Sequence, residues 1–203
     1  GPAPAEPPRP SLAEERLQVA RETLAEAVAL EKEAPEQFSR LLPTWQAARR
    51  LAAMTALAAQ AEAGASAAHA RWQGRLRQHL ETLRLAAQQA AEKKDFPAAV
   101  EALATARVPE ALWAEDWEPQ LAVLKSNLRE TIRGVGAGWL AEARTRASAQ
   151  DLEAAIALSG RAAGLPEIPE LSAEAGKLKG EWEAQLAQVR QAARCEAIAV
   201  ASP

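Results

Sequence analysis

Three tryptophans in this chain are each followed four residues later by leucine, and this spacing constrains the fold more than any other feature. The pairs are Trp72–Leu76, Trp117–Leu121 and Trp182–Leu186. A further apolar residue follows each Trp by eleven positions: Leu83, Leu128 and Ala193. Positions separated by four and eleven residues lie on one face of an α-helix. The pattern therefore predicts three helices, each with an apolar stripe that begins at a Trp.

The composition favours helix along the whole chain. Ala, Leu, Glu, Arg and Gln are abundant and are strong helix formers, whereas the chain has no Tyr, two Phe and few β-branched residues. We therefore predict an all-α fold of about seven to nine helices, arranged as irregular antiparallel hairpins in a bundle or a short solenoid-like array.

The six Trp side chains are expected to be the main anchors between these helices. Ala-rich helices bury little area per contact, so the largest side chains dominate the hydrophobic term. Trp113 lies outside the Trp–Leu pattern and next to the acidic pair Glu115 and Asp116. It is therefore the best candidate among the six to line a ligand or partner groove instead.

The N-terminal segment differs from the rest. Residues 1–10 contain five Pro and show no periodicity, so we predict a disordered arm. Gly1-Pro2 resembles the remnant of a cleaved purification tag, and the natural protein is expected to extend beyond this chain. Residues 11–203 are predicted to form an all-α domain with candidate halves 11–93 and 94–203. Ser11 and Glu14 have the spacing of a capping box that starts the first helix.

Proline and glycine set the expected helix boundaries. Pro43 should interrupt the chain, and the next helix should cover about Thr44–Ala63 and end near Gly64. The glycines of segment 134–138 should end one helix and form a hinge before another. The last helix is expected over about Ser172–Ala197, with apolar residues at near-heptad spacing.

Two stretches of the chain look like copies of one unit. Asp95 and Asp151 each precede a short helix that carries Ala-Ala and a β-branched residue, and each short helix leads through a Pro turn to a Trp-bearing helix. The Asp-x-x-Ala-Ala helices resemble tetratricopeptide-type hairpins, although that family's fixed period is absent. The Trp139 and Trp182 segments resemble spectrin-type three-helix repeats, but they are closer in sequence than that repeat requires. We assign neither family.

Residues that carry chemistry are few. His69 and His79 are about 15 Å apart on one predicted helix, which is too far to share a metal ion. Cys195 has no His nearby in sequence to activate it. The glycines of segment 134–138 follow a helix rather than the strand that a dinucleotide-binding loop requires. We therefore predict no catalytic, cofactor-binding or metal-binding residues, and expect neither enzymatic activity nor a small-molecule substrate.

The helix predicted over residues 71–94 is the most basic element. Its cationic side chains are Arg71, Arg75, Arg77, Arg84, Lys93 and Lys94. A basic helix with a Trp is one way to bind nucleic acid. Trp72, however, shares its stripe with leucines, the cations scatter over the other faces, and the net charge is −3. We therefore do not favour nucleic-acid binding and keep it as an alternative.

The remaining features indicate a structural role. The chain has one Cys and no segment apolar enough to span a membrane, and a cytoplasmic location is favoured. We predict a non-enzymatic helical scaffold or adaptor domain that binds another protein or itself through helical faces. The alternatives are nucleic-acid binding through helix 71–94, or a regulatory region of an enzyme whose catalytic domain lies beyond residue 1 or 203. The partner-binding residues are unknown from the sequence.

Overall fold

A computed structural model of the chain describes residues 1–202. Within them the chain forms seven α-helices, one 3-10 helix over Ala111–Trp113, and no strand. The α-helices are α1 (Leu12–Glu33), α2 (Phe38–Ala52), α3 (Ala58–Glu92), α4 (Phe96–Ala104), α5 (Ala114–Ser148), α6 (Leu152–Ala163) and α7 (Pro169–Ala201). The prediction of an all-α fold is confirmed. No helix in this described part is long and apolar enough to cross a membrane.

The contacts divide the chain into two compact units, Gly1–His79 and Leu80–Pro203, and the boundary lies inside α3. The sequence predicts two candidate halves, 11–93 and 94–203. Whether these halves fold independently of each other stays a prediction. Residues 1–10 have no helix or strand and are exposed. The first helix begins as predicted: the Ser11 hydroxyl accepts from the amide of Glu14, and the Glu14 carboxylate accepts from the amide of Ser11.

The first unit is built from α1, α2 and the first part of α3. Each element buries a stripe at helical spacing, including Ala20 and Leu24 of α1 and Leu41 and Trp45 of α2. Ion pairs join α3 to its neighbours: Arg49 on α2 pairs with Glu62, and Arg71 pairs with Glu31 on α1. These contacts fix the two shorter helices against α3.

Two boundary predictions in this unit are wrong. Pro43 lies inside α2 rather than before it. The hydrogen bond that this Pro cannot make costs stability, but the helix buries Phe38, Leu41 and Trp45 around it. Gly64 lies inside α3 and does not end a helix, because the Trp45 ring packs directly on its Cα. The chain turns instead at Met54, which adopts a left-handed φ of 63°.

The second unit contains two turns of matching geometry. Lys94 and Gln150 have φ of 62° and 63°, and each ends a long helix. The following residue, Asp95 or Asp151, accepts a hydrogen bond from the amide three residues on, at 3.2 and 3.3 Å. Each Asp amide also donates to a carbonyl five residues back, at 2.9 Å in both turns. Both Asp residues are therefore N-caps, as predicted.

α5 is one continuous helix, so the hinge predicted at residues 134–138 is wrong. It also begins at Ala114, which places Pro119 inside it. Gly136 is buried, and a Cβ on it would lie 2.8 Å from Leu171 Cδ2 and 3.0 Å from Leu165 Cδ1. This glycine therefore permits close packing of the α6–α7 connection and the start of α7 against α5. Packing on both sides, at Ile132 and Leu140, outweighs the low helix propensity of glycine.

Five of the six Trp residues are buried, which confirms their prediction as core anchors. They are Trp45, Trp72, Trp113, Trp117 and Trp182, whereas Trp139 is half-buried. Trp113, the candidate exception that could line a groove, is fully buried with an exposed fraction of 0%. The 3-10 helix before α5 turns this side chain into the protein interior.

Candidate functional site

The second unit carries an open groove between the last turns of α3, the short helix α4 and the first half of α5. Its volume is about 480 Å³. Its floor is apolar. The floor residues are Ala87, Ala91, Phe96, Leu103, Leu124, Leu128 and Val135. Ala87, Ala91, Phe96 and Leu103 are buried, whereas Leu124, Leu128 and Val135 of α5 are half-buried. These three residues are the part of the floor that a bound molecule can cover.

The groove follows α5 in the direction of the helix axis. Leu124, Leu128, Thr131 and Val135 line it at offsets of four, seven and eleven residues. At 1.5 Å rise per residue, this edge is about 16 Å long, or three helical turns. A smaller groove of about 170 Å³ shares Leu103 and Leu128 with it. The candidate site is therefore an elongated surface rather than a closed pocket.

A hydrogen-bonded row of side chains on α3 forms one rim. The Arg84 guanidinium donates to both carboxylate oxygens of Glu81, at 2.6 and 2.8 Å, and to Gln88 at 2.7 Å. Gln88 in turn donates to Glu92 at 2.9 Å. Across the groove, the Thr131 hydroxyl donates to the Asn127 carbonyl of its own helix. These rim side chains are thus hydrogen-bonded within their own helices, and the apolar floor lies open between them.

The Arg84 hydrogen bond lowers the pKa of the Glu81 carboxyl, and the same pair raises the pKa of Arg84. Because the folded-state pKa of Glu81 is depressed, this pair stabilises the protein above the unfolded pKa of Glu, and the contribution is lost as pH falls through the folded pKa. Both side chains are about half exposed, so the contribution is small.

Replacing Arg84 should return the pKa of Glu81 towards its ordinary value. We expect NMR titration of the Glu81 carboxyl in Arg84→Gln to show a midpoint at higher pH than in the wild type, because the charge-assisted donor is gone. Arg133→Gln is the matched control, since Arg133 pairs with Glu130 in the same i, i+3 relation. An unchanged Glu81 midpoint in Arg84→Gln would contradict this interpretation of the rim.

The basic side chains predicted on helix 71–94 are partly engaged within the chain. Arg71 pairs with Glu31, Arg75 pairs with Glu36, and Arg84 pairs with Glu81. The exposed Lys93 and Lys94 lie in the turn after α3, and Lys94 borders the groove. Carboxylates of the same chain therefore face three of the six cations.

The residues tested for chemistry lie on α3 and α7. His69 is exposed and its ring centroid lies 5.4 Å from that of Trp72, while His79 is half-buried on the same helix. Cys195 is exposed near the end of α7. Among the described residues, no group of three or more His, Cys, Asp or Glu is placed to hold a metal ion.

Comparisons with protein-family models, with curated proteins and with solved structures find no match to this chain. The candidate site therefore depends on its geometry alone. The sequence analysis placed Leu128 on the Trp117 stripe, and Leu124 lies seven residues after Trp117 on the same face, but neither was expected to line an open surface. One feature of the sequence did indicate that part of this face is exposed, namely the shortness of the helix after Asp95. That helix, α4, has 9 residues and cannot cover the face of α5, which has 35 residues.

Proposed function

We propose that this protein is a helical interaction module, and that the groove between α3, α4 and α5 binds an amphipathic helix of a partner protein. One observation carries the proposal: an apolar floor about three turns long lies open along α5, beside a rim on α3 whose Arg84 and Gln88 side chains are already hydrogen-bonded. Amphipathic helices bind such grooves with apolar anchors at i, i+4 and i+7. The spacing of Leu124, Leu128 and Val135 suits anchors of that kind.

The charges around the groove favour an acidic helix. The ammonium groups of Lys94 and Lys125 border the two connected grooves, and Arg84 and Arg129 lie beside them. Two nearby carboxylates are paired with arginines: Glu81 with Arg84, and Glu167 with Arg129. Glu92 also lines the groove and accepts a hydrogen bond from Gln88, so the two lysines outnumber this one remaining carboxylate. We therefore propose an occupant with carboxylates on either side of its apolar stripe. Such charges at the rim increase the association rate and make it dependent on salt.

The two matching turns at Asp95 and Asp151 support a further part of the proposal. Short helices that follow capped turns of equal geometry are the basis of helical-repeat arrays, in which neighbouring hairpins present a shared surface. We propose that α3–α4 and α5–α6 are two such hairpins. In the second, α6 has 12 residues and buries Ala155, Ser159 and Ala162. In the first, the shorter α4 leaves the groove uncovered.

Selection from a displayed library of helical peptides tests the proposed function. We expect enriched peptides with apolar residues at i, i+4 and i+7 and acidic flanks. Leu128→Lys should weaken their binding by about tenfold or more, because it places a charge on the apolar floor. Thr131→Glu should weaken it through repulsion, and this substitution leaves the core intact because Thr131 is exposed.

Val123→Lys is the matched control, because Val123 is on the same helix, is 57% exposed and lies outside the groove. It should leave binding unchanged. Thermal unfolding of each variant separates a loss of binding from a loss of fold. Enriched peptides that bind Leu128→Lys and Thr131→Glu as tightly as the wild type would overturn the proposal, as would a selection without enrichment.

A further inference from the structure

The smaller groove, between α4, α5 and the α6–α7 connection, combines an apolar base with charged side chains. Its volume is about 170 Å³, which is below the size of a usual small-molecule pocket and suits one side chain. The base is formed by Val100, Leu103, Ala104 and Leu128. Val100 and Leu128 are half-buried, so a bound group can still cover them. The charged side chains that line the groove are Lys125, Arg129 and Glu167.

The charges of this groove leave room for a second carboxylate. Two cations, Lys125 and Arg129, line it together with one carboxylate, Glu167. Arg129 pairs with Glu167 at 3.6 Å, which is longer than a charge-assisted hydrogen bond of about 2.7–2.9 Å. Both side chains of this pair are about half exposed, so the pair contributes little stability and is easily exchanged.

The backbone holds Glu167 beside Arg129. Its neighbours Leu165 and Ile168 are buried in the core of the second unit, which fixes the position of this segment. Glu167 itself has a left-handed φ of 66°. Gly or Asn adopts this conformation at lower cost than Glu. The turn therefore does not favour Glu at this position, whereas the contact of its carboxylate with Arg129 does.

We propose that Lys125 and Arg129 form a carboxylate-binding subsite, and that Glu167 occupies this subsite until a carboxylate of the partner replaces it. The inference rests on the proposed function for the source of that carboxylate, which is an Asp or Glu next to an apolar anchor of the bound helix. The anchor covers Val100 and Leu128, and the carboxylate beside it pairs with Arg129. Glu167, whose side chain is exposed, then turns into solvent.

Glu167 is therefore a competitor within the protein itself. It lowers the affinity for an acidic occupant, because one ion pair must open before another forms. It leaves the affinity for a neutral occupant unchanged. Since Leu103 and Leu128 line both grooves, the subsite adjoins the larger groove and acts on the same partner.

Titration of the full chain with octanoate tests the subsite, because this probe joins one carboxylate to an apolar chain. Octanamide is the matched neutral probe. Octanoate should shift the methyl NMR signals of Val100 and Leu128. Glu167→Gln should lower the Kd for octanoate about threefold or more and leave that for octanamide unchanged, because only the carboxylate competes with Glu167. Arg129→Gln should remove most of the preference for octanoate over octanamide.

Glu142→Gln is the matched control for the change in net charge. Glu142 is also on the second unit and pairs with Arg146 at the same distance of 3.6 Å, but it lies outside both grooves. It should leave the octanoate Kd unchanged. Three results would each overturn the proposal: no octanoate shifts at Val100 and Leu128 in the wild type and in Glu167→Gln, an equal gain for octanamide, or an equal gain in Glu142→Gln.

The acidic peptides from the selection test the source of the carboxylate. Glu167→Gln should raise their affinity about threefold or more, and replacing the acidic residue beside the apolar anchor by its amide should cancel this gain. A gain that persists with the amide peptide would overturn the exchange. A selection without enrichment would remove the proposed function, whereas octanoate reports on the subsite alone, so the two failures are distinguishable.

Discussion

Trp113→Ala should lower the free energy of unfolding by about 3–5 kcal/mol, the largest single effect that we expect in this chain. The side chain is fully buried in the 3-10 helix at the start of α5, and its removal leaves a cavity that rigid neighbours on α5 cannot fill. Denaturant unfolding followed by far-UV circular dichroism measures the loss, because five other Trp residues complicate fluorescence.

Leu112→Ala is the matched control for this prediction. Leu112 is the preceding residue of the same 3-10 helix and is 45% exposed, so its truncation should cost below about 1 kcal/mol. A loss below about 1 kcal/mol for Trp113→Ala would mean that Trp113 is not a core anchor. The alternative from the sequence, that Trp113 lines a groove, would then gain support.

Gly136→Ala should destabilise the protein by about 1–3 kcal/mol, whereas the same substitution at two neighbouring glycines should stabilise it. A Cβ on Gly136 meets Leu171, Leu165 and Ile168 at 2.8–3.2 Å. A Cβ on Gly134 or Gly138 meets nothing within 4 Å, so Ala at either position should gain about 0.5–1 kcal/mol from helix propensity.

The three glycine variants lie within five residues of one helix, so their comparison isolates packing from propensity. Equilibrium unfolding of all three by denaturant provides the measurement. If all three Ala variants stabilise the protein, Gly136 is not in close contact with the neighbouring segment. If all three destabilise it, close contact is not confined to Gly136.

Three helix starts were predictable because they depend on local chemistry. Ser11, Asp95 and Asp151 each cap a helix through a side-chain oxygen that accepts from a nearby amide. This signal is contained in three or four consecutive residues, so no knowledge of the rest of the fold is needed. The Trp stripes were predictable for a similar reason, since the spacing alone defines one face of each helix.

Two predicted helix ends were wrong, because packing continues the helix through them. Gly64 and Gly136 resemble helix terminators in sequence, but Trp45 covers the first and Leu165 and Leu171 cover the second. The chain turns instead at residues such as Met54, whose left-handed φ of 63° has no signature in its side chain. Tertiary contacts override propensity at these sites.

The candidate groove was beyond sequence reasoning for a related reason. Leu124 and Leu128 belong to an apolar stripe that looks like core throughout its length. They are half-buried because α4 is short and lies over only part of that stripe. Whether an apolar face is covered depends on the length and position of its neighbour, and neither follows from the periodicity of the face itself.

Methyl NMR of the leucine and valine side chains tests the central claim most directly. The titrant is the most enriched acidic amphipathic peptide from the selection. The account predicts that the methyl signals of Leu103, Leu124, Leu128 and Val135 shift with peptide concentration, while those of Leu112 and Val123 do not. Shifts confined to Val189 and Val200 of α7, or to leucines of the first unit, would contradict the claim that this groove is the partner-binding surface.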